Sequence, residues 1–237
     1  MILSIDLDII MEPCIQLYNR DVKPGEVGLR HSNWDTLYKT LDLKRHLSIN
    51  KDNLDFIFSC LTKLSKRLDH VYVGNDHSCI INAINQEYTQ HGLKIPVDIV
   101  NIDHHHDIAY SLEQEDMCLK YGEASCSSWV FYLNLCKAVN SYIWVNNPNS
   151  ELYKGTTQID GGFVSIDKFK FIESDYDMLF FTPSLPWIPL EYDDVYLKVL
   201  TCMESLWKNK INYITQPFIN DPVEKNIFKQ QSKYLNP

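Results

Sequence analysis

The sequence predicts an α/β protein: a single three-layer domain built on a mostly parallel sheet with helices on both faces. Three observations predict it. Short apolar runs rich in Val, Ile and Phe alternate along the chain with amphipathic stretches of helical length. No linker rich in Pro, Gly or Ser divides the chain, so residues 1–237 read as one domain, with a loose polar tail after about residue 217. The 237 residues are 45% hydrophobic and 12% aromatic, enough for a sizeable core and too much apolar surface to leave wet.

The elements follow in order. Met1-Ile2-Leu3-Ser4-Ile5-Asp6-Leu7-Asp8 reads as a short apolar strand. Residues 11–50 are irregular, with turn signals at Pro13, Pro24-Gly25 and Gly28, and read as a functional loop region carrying short helices. Leu54, Ile57, Leu61, Leu64 and Leu68 recur at three and four, an amphipathic helix over Asn53–Leu68 that Asn50 or Asp52 can cap. Val71-Tyr72-Val73 is a strand that ends in Gly74-Asn75-Asp76-His77-Ser78. Ile80, Ile81, Ala83 and Ile84 open a helix to about Gln90. Pro96–Ile102 is a strand that runs into Asp103-His104-His105-His106-Asp107. A helix is expected from about Ser125 to Val139, then a strand Ser141–Val145. Asn146–Gly162 reads as a loop with room for a short hairpin, Asp177–Phe181 as the last core strand and Leu190–Trp207 as the last long helix.

Composition excludes several classes. The net charge is −9, from 22 Lys+Arg against 31 Asp+Glu; such a surface repels phosphate backbones and argues against nucleic acid. It suits cationic substrates and divalent metals. No stretch reaches the roughly 18 consecutive apolar residues of a membrane span. The first residues lack a basic stretch and reach Asp6 at once, unlike a signal peptide. Seven scattered cysteines without a CxxC pair read as reduced thiols, and the expected location is the cytoplasm.

In parallel sheets ligands bind beyond the carboxyl ends of the strands, where the chemically interesting residues fall here. Side chains alternate on an extended segment, so Asp103, His105 and Asp107 project to one side and His104 and His106 to the other. Asp6 and Asp8, two apart at a strand end, share a face and repel unless a cation lies between them. His77 sits at the rim where the next strand opens a helix. Asp6, Asp8, His77, Asp103, His105 and Asp107 are therefore candidate metal ligands. Their four carboxylates balance two divalent ions, and an oxygen-rich set with a minority of His suits Mn²⁺ or Fe²⁺ better than structural Zn²⁺. Two such ions lower the pKa of a shared water, and the reaction class is metal-assisted hydrolysis.

These segments resemble the ureohydrolase (arginase and agmatinase) superfamily, whose pattern combines G-D-H-S-like, D-x-H-x-D and S-x-D-x-D segments. They read here as Gly74-Asn75-Asp76-His77-Ser78, Asp103-His104-His105-His106-Asp107 and Ser4-Ile5-Asp6-Leu7-Asp8. The last of these opens the chain, which resembles a circularly permuted branch that includes the peptide arginases. Asn33-Trp34-Asp35, Gly122–Trp129, Tyr142-Ile143-Trp144-Val145 and Ser184-Leu185-Pro186-Trp187-Ile188-Pro189 are weaker points of similarity, carrying the resemblance to about residue 205. It implies an arginase-like domain with two Mn²⁺. His77, Asp103, Asp107 and Asp6 would hold one ion; His105, Asp103, Asp6 and Asp8 would hold the other. It implies a bridging hydroxide that attacks the guanidinium carbon of an arginine, within a ribosomally made precursor peptide, to leave ornithine and urea. The same chemistry on free arginine, agmatine or an acyl-polyamine is the alternative, and a metal-binding member without turnover is a third. Leu185-Pro186 stands where the branch often has an acid, and Tyr121–Ser125 has no His where free-arginine enzymes carry one. Asp107, Glu123 and His106 are the candidate catalytic residues, with His104 another possible proton carrier. Glu123, Trp34 and Trp187 are the candidate substrate contacts; Trp129 and Trp144 read as packing.

Overall fold

The computed structural model describes residues 1–12, 34–35, 38–39, 47–150 and 159–214. Its strands are β1 (Ile2–Asp6), β2 (Met11–Glu12), β3 (Ser48–Ile49), β4 (Val71–Gly74), β5 (Val97–Ile102), β6 (Val139–Asn146), β7 (Gly161–Ser165), β8 (Met178–Thr182) and β9 (Ile211–Ile214). Seven of them form one sheet in the order β7-β6-β5-β1-β8-β4-β9, every pair parallel. β2 and β3 form a separate antiparallel ribbon. The α/β class is thus as the alternating pattern predicts.

β1 is the central strand, with Ile2 opposite both Ile99 of β5 and Met178 of β8, and all five of its residues are buried. A parallel strand covered on both faces needs apolar side chains on both, which explains Ile2, Leu3 and Ile5. Leu3, Ile5, Val71, Val73, Leu179 and Phe181 face one layer. There Ile57, Leu61 and Leu64 of helix α1 (Lys51–Leu64) and Val199 and Met203 of helix α5 (Asp193–Trp207) pack. Ile2, Tyr72, Ile99, Met178 and Phe180 face the other. It is made by Ile80, Ile81 and Ile84 of helix α2 (Cys79–Gln86) and Trp129, Val130 and Leu133 of helix α4 (Trp129–Leu135). Each such side chain contributes roughly 1.5–3 kcal/mol on burial.

The departures from expectation have local causes. Asn50, not Asp52, caps α1, its Oδ1 accepting from the Asn53 amide at 3.0 Å. α1 stops at Leu64, and Leu68 reaches the core from the turn beyond. α2 passes into a π-helical turn, Glu87–His91, which Gly92 ends at a φ of 74°. α4 starts late because Ser128 Oγ takes the Ser125 amide at 3.0 Å, a side-chain bond that competes with a helical turn. Helix α3 (Leu112–Asp116) and the π turn Met117–Tyr121 were not expected; Leu112 is 79% and Leu119 60% exposed, so no buried stripe marks them. β7 falls where a loop was expected to end, and β9 was not expected. The last helix begins as a 3-10 turn, Leu190–Tyr192. Most of 11–50, part of 146–162 and the tail after 217 lie outside the described residues.

No helix among the described residues is long and apolar enough to cross a membrane. Cys60, Cys79, Cys118, Cys126, Cys136 and Cys202 are free thiols; Cys14 lies outside the described residues.

Candidate metal centre

Three strand ends on the carboxyl edge build the centre. β1 ends at Asp6, and the chain turns at once into the 3-10 turn Leu7–Ile10. Asp6 Oδ1 accepts from the Asp8 amide at 3.3 Å. Asp8 therefore reaches the centre from a turn, not from the extended, face-sharing geometry that the spacing suggests. After β4, Asp76 Oδ1 accepts from the Ser78 amide at 2.8 Å, closing a local turn around His77. After β5 the loop Asp103–Asp107 ends with Asp107 at a φ of 52°.

The six candidate ligands meet as two groups. His77 Nδ1 lies 3.3 Å from Asp6 Oδ2, 3.1 Å from Asp103 Oδ2 and 2.9 Å from Asp107 Oδ2. His105 Nδ1 lies 2.8 Å from Asp8 Oδ2 and 3.9 Å from Asp103 Oδ1. Asp103 thus turns one oxygen to each imidazole. All six side chains are buried or nearly so. Despite these separations, His77 Nδ1 and Asp8 Oδ2 make no aligned hydrogen bond. They converge with their neighbours instead of pairing. Asp6, His77 and Asp103 form one cluster whose ligand atoms lie within 4.8 Å of one another, and Asp8, Asp103 and His105 form another. Either buried cluster can hold a metal ion.

Outer groups fix these side chains. Ser4 Oγ meets His77 Nε2 at 2.8 Å, which leaves Nδ1 facing the carboxylates. Asn101 Nδ2 donates to Asp103 Oδ2 at 3.0 Å, and the His105 amide donates to Asp103 Oδ1 at 2.8 Å. Trp129 Nε1 donates to Asp107 Oδ2 at 2.6 Å, and Ser184 Oγ donates to Asp6 Oδ2. The His77 ring stacks on Phe180, with centroids 5.9 Å apart. Partners of this kind orient metal ligands. Sequence reasoning gave no role of their own to Ser4, Asn101 and Ser184. The first two carried a signal: a polar residue flanked by apolar ones within a doubly covered strand has to serve something on its face.

The charges are in conflict. Burial, then the charge of Asp103, raises both Asp6 and Asp107, the latter to about 7. Burial and the charge of Asp6 push Asp8 well above the usual carboxylate range. Burial also opposes charge on Asp103, but His77 and His105 outweigh it and hold that carboxyl low. Burial opposes charge on the two imidazoles as well. Asp107 and its neighbours nevertheless lift His77 well above its ordinary value, and Asp8 lifts His105 to about 9. The metal-free centre therefore carries protons that an incoming cation must displace. Divalent-metal binding at about pH 7.5 is expected to release protons, with affinity rising toward pH 9. Calorimetry in two buffers of different ionisation enthalpy reads this directly. Binding without proton release would contradict the protonation pattern.

The remaining sequence candidates are placed differently. His104 turns away, its Nδ1 3.4 Å from Ser150 Oγ, and burial with the charge of His105 lowers it to about 3. His106 Nδ1 accepts from the Ile108 amide at 3.0 Å, its ring stacks on Tyr110, and burial lowers it to about 4. Both rings are buried and held by neighbours outside the ligand clusters, in a loop that bends after β5 instead of continuing as an alternating strand. Trp34 is 2% exposed and packs in the core against Tyr38, so its indole is not presented to a groove. Trp129 and Trp144 are fully buried. Trp187 is half-buried, its ring centroid 4.7 Å from that of His105. Glu123 is exposed in the loop after Gly122, and Ser128, not Glu123, sits at the start of α4.

No family model, curated protein or solved structure matches the chain.

Proposed function

We propose that the protein is a binuclear-metal hydrolase that converts arginine side chains, within a ribosomal precursor peptide, to ornithine with release of urea. Asp103 carries the proposal: its two oxygens face two separate His–carboxylate groups, the arrangement of a bridging ligand. In this reading Mn²⁺ is the native ion. His77, Asp107, Asp6 and Asp103 hold one, and His105, Asp8, Asp6 and Asp103 hold the other. The oxygen-rich donor set suits that metal. When bound, the pair supplies a water deprotonated near neutral pH, the nucleophile for a carbon–nitrogen bond of the guanidinium.

The chain's own residues do the rest. Ser4, Trp129 and Ser184 hold His77, Asp107 and Asp6 in place. The aromatic face of Trp187 beside His105 is suited to flank a flat guanidinium. Glu123 is assigned to the cationic group or to proton relay from the exposed loop, and the overall acidity favours a cationic substrate.

The test is mass spectrometry of Arg-containing peptides incubated with protein and Mn²⁺. A loss of about 42 Da per converted residue is expected from urea-releasing hydrolysis. Conversion of free arginine or agmatine in preference to peptide would reassign the substrate. Bound metal with no product from any of them would sink the hydrolase reading.

A further inference from the structure

A second group of metal-ligating side chains lies at the opposite end of β4. His70 immediately precedes that strand, whereas His77 lies beyond its far end. Four strand residues put about 13 Å of backbone between the two ends. His70 Nδ1 is 2.9 Å from Glu87 Oε1. The His70 and His91 rings stand edge to face, their centroids 4.8 Å apart. A ligand atom from each of His70, Glu87 and His91 lies within 4.8 Å of the others. Glu87 and His91 are the first and last residues of the π turn that follows α2, and π turns recur at functional sites.

Glu87 is the observation that asks for a cation. It is 4% exposed. Tyr72 donates its hydroxyl to the same oxygen, Oε1, at 2.7 Å. Among the described residues no Lys or Arg is paired with it. A buried carboxylate is costly unless opposed by positive charge, and here two imidazoles gather beside it instead. Burial and Glu87 raise the Tyr72 hydroxyl, which keeps its proton and steadies the carboxylate from behind. That is the outer-partner arrangement of metal ligands.

We propose that His70, Glu87 and His91 form a separate mononuclear site for a zinc-class divalent cation. Two nitrogens and one oxygen are the donor set of known three-residue zinc sites, which keep a fourth position for water. The set is richer in nitrogen than the binuclear centre, so the two sites should differ in metal preference. A cation here would tie the amino end of β4 to the end of α2. The inference does not rest on the hydrolase reading.

The test counts bound Zn²⁺ by elemental analysis after equilibrium dialysis of the full chain. His91 is exposed, so His91→Ala spares the fold. Wild-type protein is expected to hold one equivalent more than His91→Ala. The same difference is expected in an Asp103→Asn background, where the other centre is disabled. Zn²⁺ is also expected to raise the melting temperature of Asp103→Asn but not of the double variant. Equal zinc content with and without His91, in both backgrounds, would overturn the proposal whatever the state of the binuclear centre.

Discussion

Replacing Asp103 by Asn is expected to disable both halves of the metal centre at once. The carboxylate faces His77 with one oxygen and His105 with the other, while Asn101 and the His105 amide hold it in that orientation. An amide keeps the shape but offers one acceptor, no charge, and an NH₂ turned toward one of the imidazoles. The proposed hydrolysis should fall by more than the roughly 10–100-fold typical of losing an outer partner. The metal-free variant should also lose stability, by about 1–3 kcal/mol, because Asp103 is the carboxylate that opposes two protonated imidazoles. Metal analysis, product mass spectrometry and thermal melting read the three effects separately. His104→Ala is the control; its ring points away, so bound metal should survive. An Asp103→Asn protein with wild-type turnover would mean that the centre is not the site of the chemistry.

The second large effect is expected at Gly74, the last residue of β4. A Cβ there would lie 2.7 Å from Phe180 Cζ and 2.8 Å from Cys79 Cβ. Both neighbours are fully buried, so neither can yield without disturbing the layer. Phe180 also stacks beneath the His77 ring, and a shift in one is passed to the other. Gly74→Ala should cost about 1–3 kcal/mol by overpacking. It should weaken metal binding by roughly 10–100-fold, as displacement of a ligand's support does. Denaturant unfolding and metal titration measure the two losses. Full stability together with full affinity would show that the strand end is softer than its packing indicates.

What the sequence disclosed follows from burial. β1, β4, β5 and β8 are covered on both faces and read as mainly apolar runs. β7 and β9 lie at the sheet edges with largely exposed or half-buried side chains, so their runs are short and mixed. Gly161 in β7 even has the look of a loop residue. It is glycine because a side chain would strike the Tyr142 carbonyl. The six candidate ligands were legible because ionisable groups crowding the ends of apolar runs have no packing reason to be there. The route of Asp8 was not, since spacing alone does not distinguish a continuing strand from a 3-10 turn. Nor was the burial of Trp34, which depends on side chains far away in sequence.

The place of β1 in the sheet bears on how the molecule comes into being. Residues 2–6 find their neighbours at 97–102 and 178–182. On a ribosome this hydrophobic segment emerges long before either flanking partner exists. Such extreme sequence separation slows maturation and leaves a sticky stretch unprotected in the meantime. β1 therefore stays without one of its two neighbours until β8 has been synthesised.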